Sequence, residues 1–216
     1  TEMTKATATD FVIDAAPVIP VVVIEDASKA ADLAKALVDG GLPCIEITLR
    51  TPAAMAALEA VARVEGAIPG VGTVVTPEQL QAAKDAGAQF AVSPGHTAQL
   101  LDAADVLGMP YLPGAATPAE MQSLMERGYK NLKFFPAEAS GGAAYLKNFA
   151  SVFKSIRFCP TGGVSLKNMD QYLSLPNVDV VGGSWVAPKS AVETGNWGEL
   201  TTLAKDAIKA AHAING

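Results

Sequence analysis

The sequence predicts an α/β chain, a single-domain (β/α)8 TIM barrel over residues 1–216 with a short N-terminal helix. Three observations carry that expectation. Short apolar runs recur about every 20 to 25 residues, the spacing of strand–helix alternation in a parallel sheet. Three of the intervening stretches open on Thr-Pro, and glycines fall where helices should stop. Eight such units in a chain of 216 residues fit a barrel near the lower end of its size range.

In chain order, residues 2–15 form a possible extra helix beneath the barrel, within an N-terminal segment 1–16. Strands are expected near 18–24, 43–49, 69–74, 89–93, 110–113, 131–136, 156–161 and 178–183. Helical apolar spacing marks 28–39, 97–107 and 166–174, and 197–213 closes the chain. The stretches "TPAAMAALEAVARV", "TPEQLQAAKDAG" and "TPAEMQSLMERG" begin at Thr51, Thr76 and Thr117. Threonine as N-cap with proline at the first helical position is a strong start, and Glu120 adds a capping box to the third. Gly87, Gly108 and Gly128 supply the stops. A doubly wound open sheet is the alternative, but "VVVIEDAS" after the first strand contains no glycine, so the dinucleotide fingerprint is missing.

Composition narrows the function. Half the residues are hydrophobic and 18% are charged, with a formal charge of −6 and no block of basic residues. That argues against a nucleic-acid partner. No apolar run approaches the roughly 20 residues that span a bilayer, and "TEMTKATATDFVIDAA" lacks the order of a signal peptide. The chain therefore reads as soluble and cytoplasmic. Cys44 and Cys159 lack metal-ligand spacing and read as small core residues; His96 and His212 share no short motif, so no metal is expected. His96 reads as part of a helix-start loop, His212 as a solvated surface residue.

Two strands place a charge among apolar neighbours. In "CIEITLR", period-two alternation puts Cys44, Glu46, Thr48 and Arg50 on one face, opposite Ile45, Ile47 and Leu49. In "NLKFFPAE", Lys133 and Phe135 oppose Leu132 and Phe134, and in "IRFCPTGG", Cys159 and Thr161 oppose Ile156 and Phe158. The apolar faces should meet helices, which sends the polar groups inward, towards the C-terminal mouth where barrels keep their chemistry. A buried Lys133–Glu46 pair could simply fix the fold, but an apolar replacement is often as stable. The functional alternative is an amine that attacks a carbonyl to form a Schiff base, with a carboxylate to move protons. Parity alone leaves both open.

"TGGVS" (161–165) and "VGGSW" (181–185) follow strands seven and eight. Their glycines leave amides open to an anion, in the position where many barrels hold a phosphate. "GVGTV" (70–74) presents Thr73 beside the same mouth.

Together "GLPCIEITLR" and "GYKNLKFFPAEASG" resemble the two signature stretches of the 2-keto-3-deoxy-6-phosphogluconate (KDPG) / 4-hydroxy-2-oxoglutarate aldolase family, most like KDPG aldolase. "GVGTV", "AVSPG", "YLPGAATPAE", "PTGGV" and "VGGSW" follow in the family's order, and the resemblance covers about residues 17 to 187. It implies a class I, metal-independent lyase of the Entner–Doudoroff pathway, without cofactors, on a barrel assembled as a homotrimer. It implies Lys133 as the Schiff-base lysine and Glu46 as the general acid/base. Arg50 and Thr73 would bind the pyruvate carboxylate of a phosphorylated keto acid. Gly162, Gly163, Gly182, Gly183 and Ser184 would hold the phosphate. Thr161 would set which face of the aldehyde reacts, with Phe135 as an apolar wall. A 4-hydroxy-2-oxoglutarate or related sugar-acid aldolase would use the same lysine. A phosphate-binding barrel isomerase explains the glycine loops but not the lysine, and a non-catalytic sugar-phosphate binder gains nothing from a nucleophilic amine.

Overall fold

Strand pairing in the computed structural model, which describes residues 4–214, is parallel throughout. The strands are β1 (Val18–Val22), β2 (Cys44–Thr48), β3 (Ile68–Gly72), β4 (Phe90–Val92), β5 (Tyr111–Leu112), β6 (Gly114–Ala115), β7 (Asn131–Phe134), β8 (Arg157–Pro160) and β9 (Val181–Gly183). They form a six-stranded sheet in the order β5-β4-β3-β2-β1-β9 and a three-stranded sheet β6-β7-β8. Single bridges, Phe158 to Val178 and Thr161 to Gly182, link the β8 and β9 segments. The result is an α/β fold with a curled parallel sheet.

Among the described residues the α-helices are α1 (Asp10–Ile13), α2 (Ala30–Asp39), α3 (Ala54–Val61), α4 (Pro77–Asp85), α5 (Ala98–Leu107), α6 (Pro118–Glu126), α7 (Gly142–Leu146), α8 (Met169–Leu173), α9 (Lys189–Thr194) and α10 (Trp197–Ile214). Thr76 and Thr117 both cap their helices in full capping boxes, with Gln79 and Glu120 returning the hydrogen bond. Thr51 does not. Its hydroxyl donates instead to the Ile24 carbonyl at 2.5 Å, tying β2 to the chain after β1, and α3 starts two residues later than expected.

Other expectations also shift for local reasons. The fifth strand breaks at Pro113, which has no N–H to give to a ladder, so β5 and β6 lie in different sheets. The eighth shortens to Val181–Gly183, with Val178 in an isolated bridge. The N-terminal helix contracts to one turn, and residues 2 and 3 of that expectation lie outside the described residues. Helix α7 fills the stretch between the sixth and seventh expected strands, and α9 adds a short helix between the eighth strand and the closing one.

The two sheet faces separate as strand parity requires. Ile45 and Ile47 pack with Leu33, Leu37 and Leu58 of the surrounding helices. The opposite face gathers Cys44, Phe90, Leu112 and Cys159 with Val12 and Ile13 of α1. A one-residue slip of β2, which is buried on both faces, would exchange them and drive Glu46 into the apolar layer against the helices, stranding a carboxylate there without a partner. Polar clamps seat α1: Asn131 Nδ2 donates to Thr9 Oγ1 (3.1 Å) and Asp10 Oδ1 (2.7 Å), and Arg157 donates to Asp14 (2.7 Å) and Asp179 (2.6 Å).

Candidate active site

The inward face of β2 and the inward face of β7 bring Glu46 and Lys133 together across the sheet interior. Each residue is 3% exposed, and Lys133 Nζ lies 3.6 Å from Glu46 Oε1. That is an ion-pair distance without hydrogen-bond contact, and Glu46 Oε1 is a buried oxygen with no hydrogen-bond partner. The Phe135 ring covers the amine from 5.0 Å. Room for the carboxylate comes from β3, where a Cβ on Gly72 would fall 2.0 Å from Glu46 Oε1. Any side chain at 72 would therefore displace the carboxylate.

Thr161 of the β8 end stands next in line, its amide donating to Phe134 O at 2.9 Å. The buried Cys159 thiol is pushed up to about 12 by desolvation, against the lowering pull of Lys133. Burial likewise raises Cys44 to about 12. Both thiols are thus held neutral near neutral pH.

Above the buried pair, at the C-terminal ends of the strands, lies a cavity of about 350 Å³. Its wall includes Arg50, Phe135 and Thr161, and its rim is built from Gly162, Gly163, Gly182, Gly183 and Ser184. Arg50 Nε donates to Thr73 Oγ1 at 3.3 Å, so these two residues also stand together. Thr73 holds φ at 61°, in the left-handed region, which costs a β-branched residue on the order of 1–3 kcal/mol and tends to occur at functional sites.

The glycine loop is preset for an anion. Thr161 O accepts from Ala137 N (2.8 Å), Gly162 O from Glu138 N (3.0 Å) and Gly163 O from Asn168 Nδ2 (3.0 Å). The amides of Gly163 and Val164 have no acceptor among the described residues. Gly162 and Gly163 both take positive φ, 104° and 79°. Carbonyls turned to protein partners and amides left free make a concavity that favours negative charge.

All eleven sequence-predicted site residues therefore fall in one region, the buried pair below and the other nine around or beside the cavity. Val21 and Val23 also line it; the parity of the first strand could have revealed them. Gly72 and Glu138 escaped notice too, because their importance depends on what reaches them from distant parts of the chain. His96, outside this cavity, bonds through Nδ1 to Gly114 O at 2.9 Å, in keeping with a loop role. Among the described residues no three His, Cys, Asp or Glu side chains are grouped as metal ligands, and no helix is long and apolar enough to cross a membrane.

The family model described as KDPG and KHG aldolase matches residues 9–203. A 2-dehydro-3-deoxy-phosphogluconate aldolase of Pseudoalteromonas atlantica is 47% identical over 199 residues, covering 92% of this chain and 93% of the relative. The crystal structure of the 2-keto-3-deoxy-6-phosphogluconate aldolase of Zymomonas mobilis ZM4 with 3-phosphoglycerate matches with a TM-score of 0.90 at 44% identity, covering 94% of this chain and 95% of that one. The KDPG aldolase of Legionella pneumophila, with pyruvate captured as a covalent carbinolamine intermediate, matches with a TM-score of 0.89 at 43% identity, covering 95% and 98%.

Proposed function

The chain belongs to the KDPG and KHG aldolase family, and from that premise we propose that it is a class I aldolase using Lys133 to cleave 2-keto-3-deoxy-6-phosphogluconate to pyruvate and glyceraldehyde 3-phosphate. The observation that carries this reading is the buried Lys133–Glu46 pair, with its unpartnered carboxylate oxygen, beneath a cavity that has a guanidinium on its wall and free amides on its rim.

The Lys133 amine adds to the C2 ketone, and loss of water from the carbinolamine gives an iminium. Glu46 Oε1, not locked to Nζ by a hydrogen bond, takes the C4 hydroxyl proton as the C3–C4 bond breaks. The bonding pair flows to the iminium nitrogen, giving an enamine, and the aldehyde leaves. Protonation at C3 and hydrolysis release pyruvate and restore the amine. Arg50 and Thr73 bind the keto-acid carboxylate, a charge-assisted contact of the strong class. Gly162, Gly163, Gly182, Gly183 and Ser184 receive the phosphate. Thr161 and Phe135 wall the reacting carbons, with Thr161 deciding which face of the aldehyde reacts.

The same reading treats β5 and β6 as one strand interrupted at Pro113. With the Thr161–Gly182 bridge, the strands then make a closed (β/α)8 barrel, a single domain with its site at the C-terminal end. It also makes the protein a cytoplasmic homotrimer.

Steady-state cleavage of KDPG, with and without its phosphate, tests the assignment. The phosphorylated substrate should have the higher kcat/KM by roughly 10²-fold, the worth of one or two hydrogen bonds to a charged group. Activity should survive exhaustive chelation, since the iminium is itself the electron sink. Equal rates on both substrates would remove the phosphate cradle, and metal-restorable loss with chelator would remove the Schiff base.

A further inference from the structure

Against the glycine loop stands a carboxylate that the mechanism does not use, that of Glu138. A Cβ on Gly163 would fall 2.6 Å from Glu138 Cγ and 2.8 Å from its Cβ, so the Glu138 methylenes press directly on the loop backbone. The carboxylate end is fastened by the Tyr172 hydroxyl, which donates to Glu138 Oε1. Tyr172 is fully buried on α8, the first helix after the loop. Burial and the neighbouring Glu138 carboxylate raise its phenol above the usual range, so it stays protonated as the donor.

The backbone makes the same connection. Glu138 N donates to Gly162 O at 3.0 Å, and Gly142 N donates to Ala137 O at 2.9 Å, folding the chain after β7 tightly against the loop. A Cβ on Gly142 would lie 3.3 Å from Glu138 Oε1 and 3.5 Å from the Tyr172 hydroxyl, so little slack surrounds the pair. Across the loop, Asn168 holds the Gly163 carbonyl at 3.0 Å and accepts from Ser165 N at 2.8 Å. Gly163 is thus gripped by a side chain on each flank.

We propose that Glu138, fastened by Tyr172, is a positioning residue that fixes the free amides of Gly163 and Val164 and so sets affinity for the phosphate end of the substrate. The inference rests on the reading of that loop as the phosphate cradle. Glycines at positive φ are conformationally permissive, so amide directions there need an outside constraint. A displacement of about 1 Å is enough to weaken a positioned contact markedly.

The test compares Glu138→Ala, Glu138→Gln and Tyr172→Phe with the wild type, using KDPG, its dephosphorylated analogue, inorganic phosphate as inhibitor and borohydride trapping of pyruvate. Glu138→Ala should raise KM for KDPG roughly tenfold and weaken phosphate inhibition in parallel, with kcat changed less than about threefold. Pyruvate trapping and the rate on the dephosphorylated analogue should hold. Glu138→Gln, whose amide oxygen still accepts from Tyr172, should recover most of the loss. Tyr172→Phe keeps the packing and should show the same split, at about threefold. An unchanged KM in Glu138→Ala, an equal loss on both substrates, or a Gln variant as impaired as Ala would overturn the proposal. A wild type indifferent to the phosphate would instead sink the cradle reading itself.

Discussion

Lys133→Arg is expected to yield a folded protein with no measurable aldol cleavage, a loss on the order of 10⁵-fold or more, the scale on which removal of a covalent nucleophile is felt. The guanidinium keeps the positive charge and can still face Glu46, so the ion pair survives in kind. It stays protonated and cannot form the imine. The slot is tight, walled by Phe135 at 5.0 Å and by Glu46 at 3.6 Å, and the larger head should cost about 1–3 kcal/mol of packing. In a chain of 216 residues that lowers Tm by roughly 2 to 12 °C. Circular dichroism melts and a coupled pyruvate assay separate the two effects. A pair kept only for architecture predicts the small thermal shift with turnover preserved in proportion to folded protein.

Glu46→Gln carries the second largest effect. The amide keeps the carboxylate's shape in the space left by Gly72 but cannot take a proton from the C4 hydroxyl. General base catalysis is worth roughly 10²–10⁴-fold, and kcat should fall by that factor. Schiff-base formation on Lys133 should continue slowly, with water moving the protons. The variant should therefore still trap pyruvate under borohydride while scarcely turning over. Near-normal turnover would reduce Glu46 to a counter-ion for the lysine.

What could be read from the sequence follows from how local each signal is. Period-two alternation is a property of five or six residues, so the inward placement of Glu46, Lys133 and Thr161 came out correctly. The same parity raised a Lys133–Glu46 pair, but its 3.6 Å separation was not legible, because it depends on how distant strands are arranged around the interior. Thr-Pro punctuation marked α4 and α6, but at Thr51 the hydroxyl found a long-range acceptor in Ile24, which no local rule anticipates. The left-handed φ of Thr73 runs against the preference of a β-branched residue, so nothing in "GVGTV" announces it. Pro113 closed the expected fifth strand at 110–113, and the two-residue β6 beyond it, Gly114–Ala115, is too short a run to show any alternation of its own. Glu138 lay inside a quoted signature without a role, since its partner Tyr172 comes from a helix beyond the next strand.

The most direct test of the central claim is peptide mass spectrometry of the wild-type enzyme reduced with borohydride in the presence of pyruvate. A pyruvate adduct should appear on the peptide containing Lys133, and only when pyruvate and reductant are present together. Lys130 and Lys147 are exposed lysines on either side in sequence, and they should remain unmodified. An adduct on either of these in place of Lys133, or no adduct in an enzyme that is actively cleaving KDPG, would contradict the account.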